Sequence, residues 1–288
     1  MSTNHEGRRG GDFTALGTAS KIARVPTTDS TRRPKLLHAG HTDVGMKRNH
    51  NEDNFELVPE HDLFIVADGM GGHASGEVAS QIAIETVARF FRDTNGDSDI
   101  TWPFREEKTK SFVENLFVNS VRYANLRVFE KASEDAKYKG MGTTFVGATF
   151  QGGRHFVAHV GDSRCYRARG GKLHQVTEDH SLLNDYKKMA KLTPEEERNF
   201  PHKNIIVRAL GMKETVLVDI GVEAFQVGDI YILCSDGLNG EVDDDEIIDL
   251  INANEADLDA MCRNLIARAN QNGGKDNCTV VAVKILEV

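Results

Sequence analysis

Apolar positions along the chain fall into distinct periods, and each period predicts an element. Leu63-Phe64-Ile65-Val66-Ala67 is an unbroken apolar run of strand length, the pattern of a strand covered on both faces. It runs into Asp68-Gly69-Met70-Gly71-Gly72, whose glycines let the backbone turn and approach a ligand closely. From Gly76 to Arg92, Val78, Ala79, Ile82, Ala83, Val87 and Phe90 recur at helical spacing. A second helix is predicted from about Lys108 to Glu134, with Val113, Leu116, Phe117, Ala124 and Val128 as its apolar stripe. Between Thr143 and Arg169 the period drops to two. Thr144, Val146, Ala148 and Phe150 alternate on one side of the Gln151-Gly152-Gly153 turn, and Phe156, Ala158 and Val160 on the other, which is hairpin patterning. A second hairpin is expected through Cys165–Ala168, Gly170-Gly171 and Leu173–Val176. Leu182 to Pro201 is polar, partly helical, and reads as a surface insertion. Strands are expected at Val216–Val222, Ile230–Cys234 and Cys278–Ile285, and a helix at about Leu258–Asn270. Strands and helices come in runs, so the predicted class is α+β with antiparallel sheets.

The chain has 288 residues, 39% hydrophobic and 27% charged, the profile of a globular domain with a substantial core. Met1 to about Leu37 has almost no periodic apolar pattern and is expected to be a flexible tail, leaving 38–288 as one domain, since no linker divides it. Within the tail, Thr27–Arg33 is either a phosphorylation or docking site or a solvated leader. With 35 Lys and Arg against 44 Asp and Glu, the net charge of −9 argues against a nucleic-acid binder. It does not exclude an enzyme acting on phosphate groups, because metal ions can reverse the local sign. No apolar stretch is long enough to span a bilayer and Met1–Lys35 lacks the apolar middle of a secretory signal, so a cytoplasmic protein is expected. Cys165, Cys234, Cys262 and Cys278 are far apart, with no CxxC pair, and are expected to be buried thiols.

One chemical feature repeats. The run Leu63–Ala67 ends in Asp68-Gly69, Phe156–Val160 ends in Gly161-Asp162, and Tyr231–Ser235 ends in Asp236-Gly237. Asp276-Asn277 leads into the strand at Cys278, and Glu52-Asp53 precedes another apolar stretch. Asp-Gly taken singly is a common turn dipeptide. Carboxylates gathered at the end of a core, however, repel one another and are costly to bury, and divalent cations answer both problems. The donors are hard oxygens, which suit Mg²⁺ or Mn²⁺, and neither HExxH nor CxxC points to zinc. The run Asp243–Glu246 lacks the spacing of a calcium loop and is expected to start a helix.

Six motifs occur in order: Arg48-Asn49-His50-Asn51-Glu52-Asp53, Ala67-Asp68-Gly69-Met70-Gly71-Gly72-His73, Gly142-Thr143-Thr144, Val160-Gly161-Asp162-Ser163-Arg164, Cys234-Ser235-Asp236-Gly237-Leu238 and Gly274-Lys275-Asp276-Asn277. Together they strongly resemble the protein phosphatase 2C family of metal-dependent Ser/Thr phosphatases, in its compact bacterial form, from about Gly40 to Ile285. Asp179-His180-Ser181 and Arg208-Ala209-Leu210-Gly211 fit the same pattern.

The resemblance implies an αββα sandwich of two antiparallel sheets flanked by helices. It implies two core Mn²⁺ or Mg²⁺ ions held by Glu52, Asp68, the carbonyl of Gly69, Asp236 and Asp276, with Asp68 bridging. Asp53 would hold metal-bound water, Asp162 with Asp236 would hold a third, weaker ion, Asn277 would support the ligands, and Arg48 would grip the phosphate. The reaction implied is hydrolysis of phosphoserine or phosphothreonine by in-line attack of a metal-activated hydroxide. The partners implied are phosphoproteins and bacterial Ser/Thr kinases, met by a monomer that binds neither nucleic acid nor membrane. Many eukaryotic members carry His where this chain has Met70, so the leaving-group proton is expected from metal-bound water or from His73. Residues 182–207 correspond to a flap beside the active site, whose charges either select substrates or form a solvated surface. Two other readings stay open: a catalytically dead phosphoprotein binder, and a phosphatase of small phosphomonoesters.

Overall fold

The structure, a computed structural model, describes residues 33–71, 75–94, 103–190, 192–193, 195–196, 200 and 205–288. In chain order the strands are β1 (Lys35–Asp43), β2 (Asp53–Val58), β3 (Leu63–Met70), β4 (Gly142–Thr143), β5 (Phe145–Gln151), β6 (Arg154–Val160), β7 (Arg164–Arg169), β8 (Lys172–Gln175), β9 (Asp219–Ala224), β10 (Ile230–Cys234) and β11 (Cys278–Glu287). The α-helices are α1 (Ser75–Thr94), α2 (Phe112–Glu134), α3 (Leu182–Met189), α4 (Asp236–Asn239), α5 (Asp244–Ala253) and α6 (Leu258–Asn272). One sheet runs β1-β11-β10-β7-β8; the other runs β2-β3-β5-β6-β9, with β4 attached to β3. The pairs are antiparallel throughout.

The unbroken apolar runs follow from having both faces covered. Phe64 and Val66 of β3 meet Leu233, Val281 and Val283 of the other sheet in the middle layer. Their neighbours Leu63, Ile65 and Ala67 face outward onto Ala83, Val87, Phe117 and Val121 of α1 and α2. In the opposite sheet Ile232, Cys234, Val280 and Ala282 face outward onto Ile247, Met261 and Leu265 of α5 and α6. Period-two alternation thus divides each strand between two cores, and the result is the four-layer αββα arrangement.

The ends of several elements differ from the sequence expectation for identifiable reasons. Helix α2 begins at Phe112, not Lys108, because Ser111 and Glu114 form a reciprocal capping box: Ser111 N donates to Glu114 Oε2 at 2.8 Å and Glu114 N to Ser111 Oγ at 3.3 Å. The expected strand Val216–Val222 is displaced to Asp219–Ala224, since pairing with β6 stops at His159↔Asp219. Val216 and Val218 pack instead against the core beneath α1 and α2, which accounts for their apolar character without strand pairing. The expected domain start at residue 38 moves forward, because Lys35, Leu36 and Leu37 already pair with Glu287, Ile285 and Lys284. Residues 1–32, including most of Thr27–Arg33, lie outside the described residues. All four cysteines are free and buried, and among the described residues no helix is long and apolar enough to cross a membrane.

Candidate metal centre

The antiparallel register carries the acidic residues to one end of the sandwich. Strand β2 starts with Asp53, which lies opposite Asp68 near the end of β3. Strand β6 ends one residue before the Gly161-Asp162 pair, β10 ends two residues before Asp236, and β11 starts two residues after Asp276. These are alternating starts and ends of antiparallel strands, so all of them open onto the same edge of the two sheets.

The side chains converge. Asp236 lies beside Asp68 and feels the charge of Asp276. Burial raises the Asp68 carboxyl well above the usual carboxylate range, and repulsion from Asp53, Asp236, Asp162 and Asp276 adds to it. Asp53 is pushed up to about 7, first by burial and further by Asp236 and Asp276, against the pull of two hydroxyl donors. Those donors are Ser235 Oγ and Thr279 Oγ1, 2.7 and 2.8 Å from Asp53 Oδ2. Asp162 is pushed up to about 7 by burial, with repulsion from Asp236 and Asp179 added. So packed, these carboxylates cannot all ionise near neutral pH unless cations accompany them.

Three buried oxygens, Asp53 Oδ1, Asp162 Oδ1 and Asp236 Oδ1, have no hydrogen-bond partner. A buried acceptor without a donor is costly, and here the orphans belong to one cluster of hard oxygen donors. The donor set therefore fits hard divalent cations of the magnesium or manganese kind.

Glu52 lies at the edge of this cluster. Its Oε1 accepts from Gly76 N at the start of α1 (3.1 Å), and its main-chain oxygen accepts from Gly69 N (3.1 Å) and Ser80 Oγ (2.6 Å). A Cβ on Gly69 would lie 2.1 Å from Gly76 O, so the close approach of β3 to α1 admits only glycine there. Asn277 joins the distant segments: its Oδ1 accepts from Glu52 N (2.8 Å), and its Nδ2 donates to Val44 O and His50 O (both 2.9 Å). Arg48, on the loop so held, is half exposed and donates to Asp276 Oδ2 at 2.6 Å. Its charge also reaches Glu52 and Asp68. His73 lies outside the described residues.

The Asp162 loop is braced from the segment preceding α3. Gly161 N donates to His180 Nδ1 (3.0 Å), and His180 N donates to Gly161 O (2.9 Å). The other ring nitrogen, Nε2, lies 3.3 Å from Asp219 Oδ2. His159, His180 and Asp219 lie close enough to suggest a second metal group. Arg208 Nη1, 2.7 Å from Asp219 and 3.0 Å from His180 Nε2, already supplies the positive charge there. Arg164 grips Asp179 with both Nε and Nη2, at 2.9 and 2.7 Å, on the wall beside Asp162 and Asp236.

Sequence reasoning named the acids but not the hydroxyls that orient them. Ser235 sits inside a quoted motif, where its contact with Asp53 has no local signal; Thr279 reads as an ordinary strand residue. Thr144 is of the same kind: its Oγ1 accepts from Asp68 N at 3.0 Å and contacts Ser163 Oγ at 2.7 Å.

A family model described as Protein phosphatase 2C matches residues 44–279. The serine/threonine phosphatase stp of Listeria welshimeri is 36% identical over 246 residues, covering 84% of this chain and 93% of the relative. Protein phosphatase PhpP of Streptococcus pneumoniae is 34% identical over 249 residues, covering 85% and 96%. Among solved structures, the Mycobacterium tuberculosis serine/threonine phosphatase PstP/Ppp superposes with a TM-score of 0.76 at 32% identity, covering 88% of this chain and 99% of that one. A PstP catalytic domain in complex with two manganese ions gives 0.73 at 32% identity, with the same coverage. The chain belongs to the protein phosphatase 2C family.

Proposed function

We propose that this protein is a Mn²⁺- or Mg²⁺-dependent protein phosphatase that hydrolyses phosphoserine and phosphothreonine. The observation that carries the reading is the convergence of Asp53, Asp68, Asp162 and Asp236, three of them with orphaned buried oxygens, beside Asp276 and Arg48. Glu52, Asp68, the Gly69 carbonyl, Asp236 and Asp276 would hold two core ions, and Asp162 with Asp236 a third. When bound, such ions supply charge neutralisation and Lewis acidity that make water nucleophilic at neutral pH.

The chain's own residues do the rest. Asp53, held by hydrogen bonds from Ser235 and Thr279, would orient attacking water. Arg48 is a planar, permanently charged fork that can take two phosphate oxygens, and its seat against Asp276 puts it over the cluster. Asn277 keeps Glu52 and the Arg48 loop in register. Met70 cannot donate a proton, so the leaving alkoxide takes its proton from water or from His73.

In the cell the protein is read as a cytoplasmic monomer whose partners are phosphoproteins, including the Ser/Thr kinases it opposes, with no nucleic-acid or membrane role. Residues up to about 34 are read as an appended tail, and 182–207 as a flap beside the site. The test is turnover of p-nitrophenyl phosphate and of phosphothreonine peptides. Both should require Mn²⁺ or Mg²⁺ and disappear with EDTA or in Asp236→Ala. Activity that survives metal removal would reject the reading, and activity on small phosphomonoesters alone would reject its substrate class.

A further inference from the structure

Near the carboxylate cluster several large apolar side chains are exposed. Large exposed hydrophobics gather between residues 205 and 217: Ile205, Val207, Met212 and Leu217 are 46, 47, 53 and 62% exposed. Such side chains are unremarkable when scattered but mark contact surfaces when gathered. Val207, Met212 and Leu217 line a groove of about 420 Å³ together with Met70, while Arg208 and Lys213 supply its polar rim.

The groove is braced by backbone pairing and adjoins the candidate metal centre through strand β3. Met70 directly follows Gly69, and both pair with β4, Gly69 opposite Thr143 and Met70 opposite Gly142. On the other side of β4, Thr143 and Leu210 exchange backbone hydrogen bonds of 3.1 and 2.8 Å. A Cβ on Gly142 would lie 3.1 Å from Met212 Sδ, so Met212 rests directly on β4. Asn125 of α2 fixes the loop beyond: its Nδ2 donates to Lys213 O and Glu214 O at 3.1 and 2.9 Å, and its Oδ1 accepts from Gly211 N at 2.9 Å.

We propose that this groove receives an apolar side chain of the phosphoprotein substrate, from a residue within two positions of the phosphorylated Ser or Thr. This rests on the phosphatase reading above. The reach follows from continuity: Met70 is one peptide from Gly69, and an extended peptide advances about 3.3 Å per residue. A chain with its phosphate at the metal centre therefore brings its nearest neighbours over Met70. The rim of Arg208 and Lys213 makes the groove hostile to basic side chains, and its walls offer little to acidic ones beyond Lys213, because Arg208 is already paired with Asp219.

The test compares kcat/KM for phosphothreonine peptides carrying Leu, Asp or Lys in turn at each of the two positions on either side, with p-nitrophenyl phosphate as a substrate too small to reach the groove. The wild type should prefer Leu at one of these positions by about tenfold or more, the scale of discrimination an apolar pocket supplies. Met212→Glu and Leu217→Glu, both at exposed positions, should abolish that preference and leave p-nitrophenyl phosphate turnover within about twofold. No preference for Leu, or one that persists in both variants, would overturn the proposal. So would variants that change only the sedimentation behaviour, which would make the groove a self-association surface. Failure of the wild type to hydrolyse p-nitrophenyl phosphate with Mn²⁺ would instead remove the phosphatase reading, and the occupant with it.

Discussion

Asp53 and Asp68 lie directly opposite each other in the register of β2 and β3, two carboxylates on adjacent strands at one edge of the sandwich. Like charges so placed destabilise a sheet. Here they are joined by Asp236 and Asp276 from the facing sheet, and the arrangement is intelligible as a cage for cations.

Orientation of Asp53 depends on two hydroxyls, Ser235 Oγ and Thr279 Oγ1. Hydrogen bonds to charged groups contribute about 1.5–3 kcal/mol each. Thr279→Val keeps the shape and removes one donor, and is expected to lower kcat by about tenfold or more with little change in KM. Ser235→Ala should do the same. Steady-state kinetics on p-nitrophenyl phosphate checks both, and unchanged kcat in both would show that Asp53 needs no fixing.

Arg48 binds phosphate as a fork in this account, so its geometry counts as well as its charge. Arg48→Ala should lower kcat/KM by about 10- to 100-fold, chiefly through KM, and Arg48→Lys should recover only part of the loss. Full recovery by lysine would mean that charge alone suffices. The readout is kcat/KM with phosphothreonine peptide at saturating Mn²⁺.

Gly237 separates the Asp236 and Asp276 segments, and a Cβ there would lie 1.9 Å from Asn277 O. Gly237→Ala must push these two acids apart, at an overpacking cost of about 1–3 kcal/mol or more. A lower Tm and a weakened affinity for Mn²⁺ are expected together. Gly221→Ala, whose Cβ meets nothing within 4 Å, is the neutral control. Wild-type Mn²⁺ affinity in Gly237→Ala would contradict the prediction.

His155 lies between the sheets, its Nδ1 2.8 Å from the Tyr231 hydroxyl and its Nε2 unpartnered. Burial lowers its pKa from 6.5 to about 4. The fold thus favours the neutral ring, whose contribution is complete above pH 6.5 and is lost as pH falls toward 4. At about 1.4 kcal/mol per pH unit the loss reaches about 3 kcal/mol. His155→Gln keeps a hydrogen-bonding group and removes the titration. The stability difference between wild type and variant, from urea unfolding, should therefore shift in favour of the variant between pH 6.5 and 4. A pH-independent difference would refute the assignment.

What the sequence revealed follows from the physics of each segment. Leu63–Ala67 and Ile230–Cys234 were legible because both faces of each strand are buried, which leaves unbroken apolar runs. The acids were legible because each sits where such a run stops. Strand β1 was not: Lys35–Asp43 is an edge strand with two histidines and a glycine, and its pairing with β11 spans most of the chain. The groove was equally hidden, because Met70 and the 206–217 segment are brought together by strand β4, far from either in sequence. The roles of Thr144, Ser235 and Thr279 depend on contacts between remote strands, and no local period announces them.

The central claim is that acids from both sheets form one cage for hard dications. Calorimetric titration of the purified, EDTA-treated protein with Mn²⁺ tests it most directly, comparing wild type with Asp68→Asn and Asp236→Asn. The account predicts at least two Mn²⁺ per wild-type chain and loss of tight binding in both variants, each of which remains folded by circular dichroism. Wild-type protein that binds no Mn²⁺, or variants that bind it as the wild type does, would contradict the account.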